Sequence, residues 1–342
     1  MTGPYLVSGA SGFAGRHLLE ARAPGTRAIA LVRDPGDWAA QDWSSKLDDV
    51  TPLQGSLFDT DRWAADLPAI SGIFHFAALV RHSRINAEEV YRTNVDGTLN
   101  MVRLAAKKQC RMIMLSTSGT VGCFETQGKQ ADENAAFCES TVANWPYYHS
   151  KIIAERKARQ LADELGVELV FFRPPVLLGP GDHRFRSTSN IIRMLRGRLP
   201  FLIQGGMHFI DIRDAIRATW RAMEILAPQP VYHLAGYDSS IQQFFAMVEE
   251  VSGVRAPRRI LPHSVAKVIA GADEWLGMRL KGEPLHFFPG PVVIEMARYY
   301  WGLKSLYAES DLGYVSRDPG ETLRDTVDWL RANHPKLQPA ND

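Results

Sequence analysis

The chain has 342 residues, 45% hydrophobic and 23% charged, with 39 Lys and Arg against 38 Asp and Glu and a formal net charge of +1. That length allows about two domains, or one large α/β domain with a cap, and a sizeable core. The charge balance excludes a general nucleic-acid or acidic-membrane binder, which needs an excess of positive charge. Cys110, Cys123 and Cys138 have no metal-ligand spacing, and an odd, small number of cysteines suits reduced thiols in a cytoplasmic protein. The start MTGPYLVSGASG has no basic segment followed by a long apolar core, so it does not read as a signal peptide. The most apolar late stretch, 264–277, contains Lys267, Asp273 and Glu274, which argues against a membrane span.

In chain order, residues 5–8 read as a buried strand that runs straight into glycines and then a helix from Phe13. Strands are predicted at 27–32, 50–54 and 72–77, and a helix over 88–109 with Val90, Val95, Leu99, Val102 and Ala106 near one face. A fifth strand at 111–116, a long helix at 147–165 and a sixth strand at 167–172 continue the rhythm. Strand and helix in alternation, with apolar strands that lack clean alternation, predict an α/β fold: a doubly wound parallel sheet covered on both faces. The Pro/Gly-rich stretch 173–182 reads as a boundary. A helix near 189–196, a segment 209–226 that begins extended and turns helical, and a strand at 231–234 follow. The expected organisation is a dinucleotide-binding domain over 1–175, with 207–235 returning to it, and a smaller C-terminal substrate-binding region from 176–206 and 236–342.

The sequence Gly9-Ala10-Ser11-Gly12-Phe13-Ala14-Gly15 lies between the first strand and first helix. Gly9 can make the tight turn, Gly12 can admit a pyrophosphate to the backbone, and Gly15 can let helix and strand pack closely. The helix N-terminus then offers N–H groups to the phosphates. The second strand ends Val32-Arg33-Asp34. Arg33 stands where a guanidinium meets a 2′-phosphate, which favours NADP(H). Asp34, if the register slips by one, would suit the ribose of NAD(H).

With HxAA at 75–78, NVxGT at 94–98, a Ser/Thr-rich end to the fifth strand, YxxxK at 147–151, RPxxxxGPGD at 173–182 and DIRD at 211–214, the chain resembles the extended short-chain dehydrogenase/reductases. The resemblance spans roughly residues 4–235. It is strongest to the branch that holds dihydroflavonol reductases and 3β-hydroxysteroid dehydrogenases. It implies a Rossmann fold and a Ser–Tyr–Lys mechanism with an assisting Asn: Ser118, Tyr147, Lys151 and Asn94. It also implies dinucleotide contacts from Gly9, Ser11, Gly12, Phe13, Gly15, Ser56, Leu57, Ala77, Ala78, Tyr147 and Lys151, with Pro174 and Val176 bordering the nicotinamide. Ser56 stands where the family carries an Asp, and Asp59 lies nearby. A homodimer through the helices around 88–109 and 147–165 is a further implication.

The residues themselves fit these roles. Tyr147 and Lys151 are four apart on a predicted helix and share a face, whereas Tyr148 has Ile152 four residues on. An ammonium nearby lowers a phenol's pKa, and the phenol can then exchange a proton with a carbonyl or alcohol oxygen. Ser118 would hydrogen-bond the oxygen as charge develops, with Thr117 or Ser116 the choice if the register differs. Asn94 would organise a relay water, or would only distort its helix by bonding backbone. His75 reads as a satisfied core histidine, and Asp211 and Arg213 as structural bonds. Arg81, His82 and Arg84 could meet a polar substrate or simply be solvated. Trp145, Phe185, Trp275, Phe287 and Phe288 line either a pocket or the core.

No acid follows Ser118, which disfavours the sugar dehydratases and decarboxylases of the resembled family. Residues 175–178 are Pro-Val-Leu-Leu where nucleotide-sugar enzymes carry polar groups, so the cleft wall is apolar. The expected activity is NADPH-dependent reduction of a ketone or aldehyde. The alternatives are an NAD-dependent nucleotide-sugar epimerase and a non-enzymatic dinucleotide sensor. Beside the homodimer that the resemblance implies, the partner expected is a small-molecule carbonyl or alcohol, without nucleic acid or membrane.

Overall fold

The computed structural model describes residues 3–285 and 287–337. The outermost ends of the two expected domains, 1–2 and 338–342, lie outside them. The first unit is β1 (Tyr5–Ser8), the helix Phe13–Glu20 and β2 (Ala28–Val32). β3 (Val50–Gln54), β4 (Gly72–His75), β5 (Met112–Leu115) and β6 (Leu169–Arg173) follow, each parallel to its neighbour. With β9 (Val231–His233) they form one seven-stranded sheet in the order β3-β2-β1-β4-β5-β6-β9. The strand order reverses between β1 and β4, the switch point at which such sheets open a crevice at their carboxyl ends.

Both faces of this sheet are covered, and that explains the unbroken apolar strands. In β1 Val7 points into one core and Leu6 into the other; in β5 Ile113 opposes Met112 and Met114. The first core is closed by the helices Phe13–Glu20 and Ile212–Glu224, the second by Gly97–Lys108 and Pro146–Leu165. At ~25 cal/mol per Å² of apolar surface, this two-sided burial is the main force assembling the sheet.

Two strands were not anticipated. β7 (Val176–Leu178) lies inside the stretch expected to be only a boundary, and polar β10 (Tyr237–Ser240) carries no strand signature. Both pair with β8 (Gly206–Asp211), in the order β10-β8-β7. Gly179 and Gly181, at φ +132° and +91°, make the turn that takes the chain out of β7. The small sheet packs through Leu178 and Phe209 onto Phe244, Val248, Leu323 and Val327 of the helices Ile241–Ser252 and Pro319–Asn333.

The helix expected over 88–109 is broken. It runs Ala87–Tyr91, takes a π turn at Arg92–Asp96, and resumes as Gly97–Lys108. The cause is local. The Asn94 side chain reaches Leu79 and Ser150, and the Thr98 hydroxyl bonds the Asn94 carbonyl at 2.7 Å. No helix among the described residues is long and apolar enough to cross a membrane.

Candidate active site

At the carboxyl end of β1, Gly9 adopts φ +73°, and a Cβ there would lie 2.5 Å from the Ala77 nitrogen. A Cβ on Gly15 would lie 2.2 Å from the Gly9 carbonyl oxygen, so both glycines are demanded by packing. Gly12 caps the helix Phe13–Glu20 in extended conformation, and no side chain caps that helix. Its first-turn N–H groups therefore suit phosphate oxygens. The residues fit a dinucleotide. Ser11, Phe13, Ala77 and Ala78 follow β1 and β4 at this edge.

Beside the loop, the Asp34 carboxylate accepts the Gly36 N–H at 2.7 Å and so is committed to capping the helix Pro35–Ala39. Arg33 is exposed. Arg184 arrives from the segment after Gly181, its guanidinium 3.3 Å from the Ser11 hydroxyl. Burial, then the charges of Arg186 and Arg33, hold Arg184 below the usual guanidinium value. Sequence reasoning missed Arg184 and Arg186. Their only signal was two arginines just past GPGD. Ser56 and Leu57 are engaged in their own turn: the Ser56 hydroxyl accepts the Phe58 N–H at 3.2 Å, and the Leu57 carbonyl accepts from Asn100 at 2.8 Å. Pro174 ties β6 to β5, its carbonyl accepting the Ser118 N–H at 2.8 Å, and Val176 opens β7 partly exposed.

Across the crevice stand three hydroxyls at the end of β5. Ser116 donates to Glu155, and Thr117 accepts the Gly119 N–H at 3.4 Å. Among the described residues no hydrogen bond engages the Ser118 hydroxyl, although Ser118 is buried. Tyr147 and Lys151 project from the helix Pro146–Leu165, both buried. Lys151 Nζ donates to the Leu115 carbonyl at 2.8 Å.

The expected depression of the phenol by Lys151 is not what this geometry gives. Burial raises the Tyr147 hydroxyl above its ordinary value, and burial pulls the Lys151 ammonium down to about 8, with Glu155 opposing. The ammonium donates to the Leu115 carbonyl, and Glu155 one turn further along the helix favours its charged form. A protonated Tyr147 is the form that donates a proton.

Beneath this lies a buried ion pair that the sequence did not announce. Glu155 Oε2 meets Arg173 Nη2 at 2.6 Å, and Arg173 also bonds His233 Nε2 at 3.2 Å. The available signal was an acid four residues beyond Lys151 on a buried helix face. Asn94 Oδ1 accepts the Leu79 N–H at 2.8 Å and its Nδ2 donates to the Ser150 Oγ at 2.9 Å, which links the loop after β4 to the helix that carries Tyr147.

The wall facing Tyr147 is aromatic. Tyr148 lies 5.2 Å from Tyr147 and 5.3 Å from Trp301 between ring centroids, and Trp145 lies 5.4 Å from Tyr299. Gly119 permits this, because a Cβ there would sit 2.2 Å from the Tyr148 ring. Of the aromatics singled out from the sequence, Trp145 joins this wall. Phe185 packs instead on Trp329 and His334, Phe288 on Phe201, and Trp275 and Phe287 are exposed. His75 is satisfied at both ring nitrogens by Ser8 at 2.7 Å and Thr98 at 3.0 Å. Asp211 caps its helix and pairs with Arg213, which also reaches Asp325.

Comparison with known proteins gives a consistent picture. The profile of the NAD dependent epimerase/dehydratase family matches residues 5–246. A Synechocystis sp. protein provisionally named as a dihydroflavonol 4-reductase is 28% identical over 96% of this chain and 95% of its own. Sterol demethylase protein B of Methylococcus capsulatus is 26% identical over 95% and 98%. The crystal structure of gox2253 superposes with a TM-score of 0.81 at 25% identity, over 98% of this chain and 100% of that one. MoeE5 in complex with UDP-glucuronic acid and NAD shares the fold, with a TM-score of 0.71 at 24% identity, over 96% and 99%.

Proposed function

Because the chain belongs to the NAD dependent epimerase/dehydratase family and is an NAD(P)-dependent enzyme, we propose that it is an NADP(H)-linked carbonyl reductase acting on a ketone or aldehyde, or on the alcohol in reverse. The observation that carries this reading is Tyr147, a buried phenol kept protonated through the neutral range and set against an aromatic wall. The dinucleotide supplies the hydride. Ser118, whose neighbours' hydroxyls are committed elsewhere, donates a hydrogen bond to the carbonyl oxygen as charge builds there. Tyr147 passes its proton to that oxygen. The Lys151 ammonium would support the resulting phenolate and hold the ribose. Asn94 acts as a positioning residue between the Leu79 loop and the Tyr147 helix. The preference for the 2′-phosphate rests on Arg33 and Arg184 standing together while Asp34 is engaged in a cap.

The test is steady-state nicotinamide absorbance with NADPH and NADH over a panel of aryl and alkyl ketones. NADPH oxidation is expected, with kcat/KM above that for NADH. Tyr147→Phe should lower it by roughly 10²–10⁴-fold, and Arg33→Ala should erode the NADPH preference while leaving NADH turnover. Interconversion of a nucleotide sugar with no net change in nicotinamide would instead identify an epimerase.

A further inference from the structure

The helix His263–Lys281 meets the rest of the molecule along a narrow stripe. Ala266, Ala270 and Gly277 are buried, and the first two pack with Ile294 of the helix Pro291–Met296. A Cβ on Gly277 would lie 2.4 Å from the Leu285 nitrogen, so the stripe is small where the chain doubles back. Another side of the helix is apolar and uncovered. Val265, Val268, Ile269, Trp275, Leu276 and Leu280 recur at the three- and four-residue spacings of one face, and all six are exposed. Val268 is 72% exposed, Leu280 67% and Trp275 62%. Asp273, at the border of this face, accepts the Phe287 N–H at 3.2 Å, which sets a further ring, 83% exposed, beside the helix. Single apolar side chains are normal on a surface, whereas a continuous face of them marks a contact.

The charge around this face is one-sided. Residues 255–283 hold six Lys and Arg against three acids, and all six basic residues are exposed. The whole-chain balance of +1 conceals this excess, because the remainder of the chain is net acidic. Arg258 and Lys267 pair with Glu249 and Glu295. Arg279 lies instead over the Trp275 ring, 5.5 Å from its centroid, within the apolar face, and Lys281 ends the helix. An apolar face that carries a tryptophan, with long basic stems beside it, is the pattern of a helix lying in a headgroup layer. Lys267, Asp273 and Glu274, the charges that argue against a span across a bilayer, stand off this face or at its border, which suits a helix lying on one. A second copy docked here about a two-fold axis would set the same positive patch against itself. Anionic headgroups neutralise it.

We propose that the outer face of the helix His263–Lys281, together with Phe287, is a docking surface for anionic phospholipid bilayers, which holds the protein at a membrane without spanning it. The proposal does not depend on the reductase reading. The face is one helix removed from the aromatic wall of the site: Glu295, on the helix beneath, accepts from the Trp145 indole at 3.1 Å.

The experiment uses the full chain, sedimented with vesicles of phosphatidylcholine alone or with about 30% phosphatidylglycerol. In about 0.1 M NaCl the protein should partition onto the anionic vesicles roughly tenfold or more above the neutral ones, and the advantage should shrink in about 0.5 M NaCl. Val268→Ser/Trp275→Ser should lower partitioning roughly tenfold or more at either salt concentration. Arg279→Gln/Lys281→Gln should remove most of the preference for anionic vesicles. All four side chains are exposed, so both double variants should melt within about 2 °C of wild type. Brominated acyl chains should quench a part of the wild-type emission that Trp275→Phe lacks.

Equal or absent partitioning on the two vesicle types, binding that survives Val268→Ser/Trp275→Ser, or bromine quenching unchanged in Trp275→Phe would each overturn the proposal. So would sedimentation equilibrium in vesicle-free buffer in which Val268→Ser/Trp275→Ser turns a dimer into a monomer, because the face would then belong to a second copy.

Discussion

Lys151 sits between two demands. Its ammonium is buried and donates to the Leu115 carbonyl, and burial brings its pKa down to about 8, with Glu155 one turn away pulling the other way. In the reduction direction the ammonium is needed to stabilise the phenolate that Tyr147 becomes after giving up its proton. Below about pH 8 the lysine is charged and the step is supported; above it the charge is lost. The kcat/KM for ketone reduction is therefore expected to fall as pH rises through about 8, roughly tenfold per unit once the lysine is neutral. A profile that stays level to about pH 10 would remove Lys151 from this role. Tyr147 contributes no second inflection there, because burial keeps it protonated well above that range.

At the scale of elements, the Tyr147 helix is fastened from below by the Glu155–Arg173 pair. Both side chains are almost fully buried, and Glu155 also accepts from Ser116. Removing one partner leaves the other charge stranded. Glu155→Ala is therefore expected to cost about 3–5 kcal/mol, read from the urea midpoint. The double variant Glu155→Leu/Arg173→Met should recover much of that, because no orphan charge remains; a double variant as unstable as the single would show that the pair does more than balance itself.

This pair also marks where sequence reading stopped. The glycine loop and the four-residue spacing of Tyr147 and Lys151 were legible because each is local, set by one turn or one helix face. The parallel sheet was legible for the same reason, since each strand announces its own burial. The Glu155–Arg173 contact was not, because it joins a helix to a strand that shares no period with it. Trp301 and Tyr299 reach the site from far along the chain, and nothing in their own neighbourhood shows it. The π turn at Arg92–Asp96 was hidden by a clean helical stripe; Asn94 signalled a distortion but not its form. Polar β10 became a strand only because β8 offered it an edge.

Across the whole molecule, burial holds several histidines below their ordinary pKa, four of them furthest: His75 to about 3, and His82, His208 and His233 to about 4. In the unfolded chain they bind protons from about pH 6.5 downward. Between those limits the unfolded state holds more protons than the folded one, so stability is full above pH 6.5 and declines as pH falls toward about 4. Each histidine should withdraw on the order of 2 kcal/mol by pH 5. Denaturation midpoints measured from pH 7.5 to 5 should drop steeply, and His208→Gln should flatten the slope. A midpoint that does not move across that range would contradict the buried, neutral state of these rings.

The seventh strand has a consequence for how the protein comes into being. β9 covers the outer edge of β6, and the chain reaches it only after laying down β7, β8 and the helix Ile212–Glu224. A polypeptide emerging from the ribosome therefore displays β6 as an open hydrogen-bonding rim, apolar on both sides, until the stretch ending at His233 has cleared the exit tunnel. Such a rim invites pairing with other nascent chains. Fragments cut after β6 are thus poor candidates for isolation, and a chaperone that shields this rim during synthesis would raise the yield of folded enzyme.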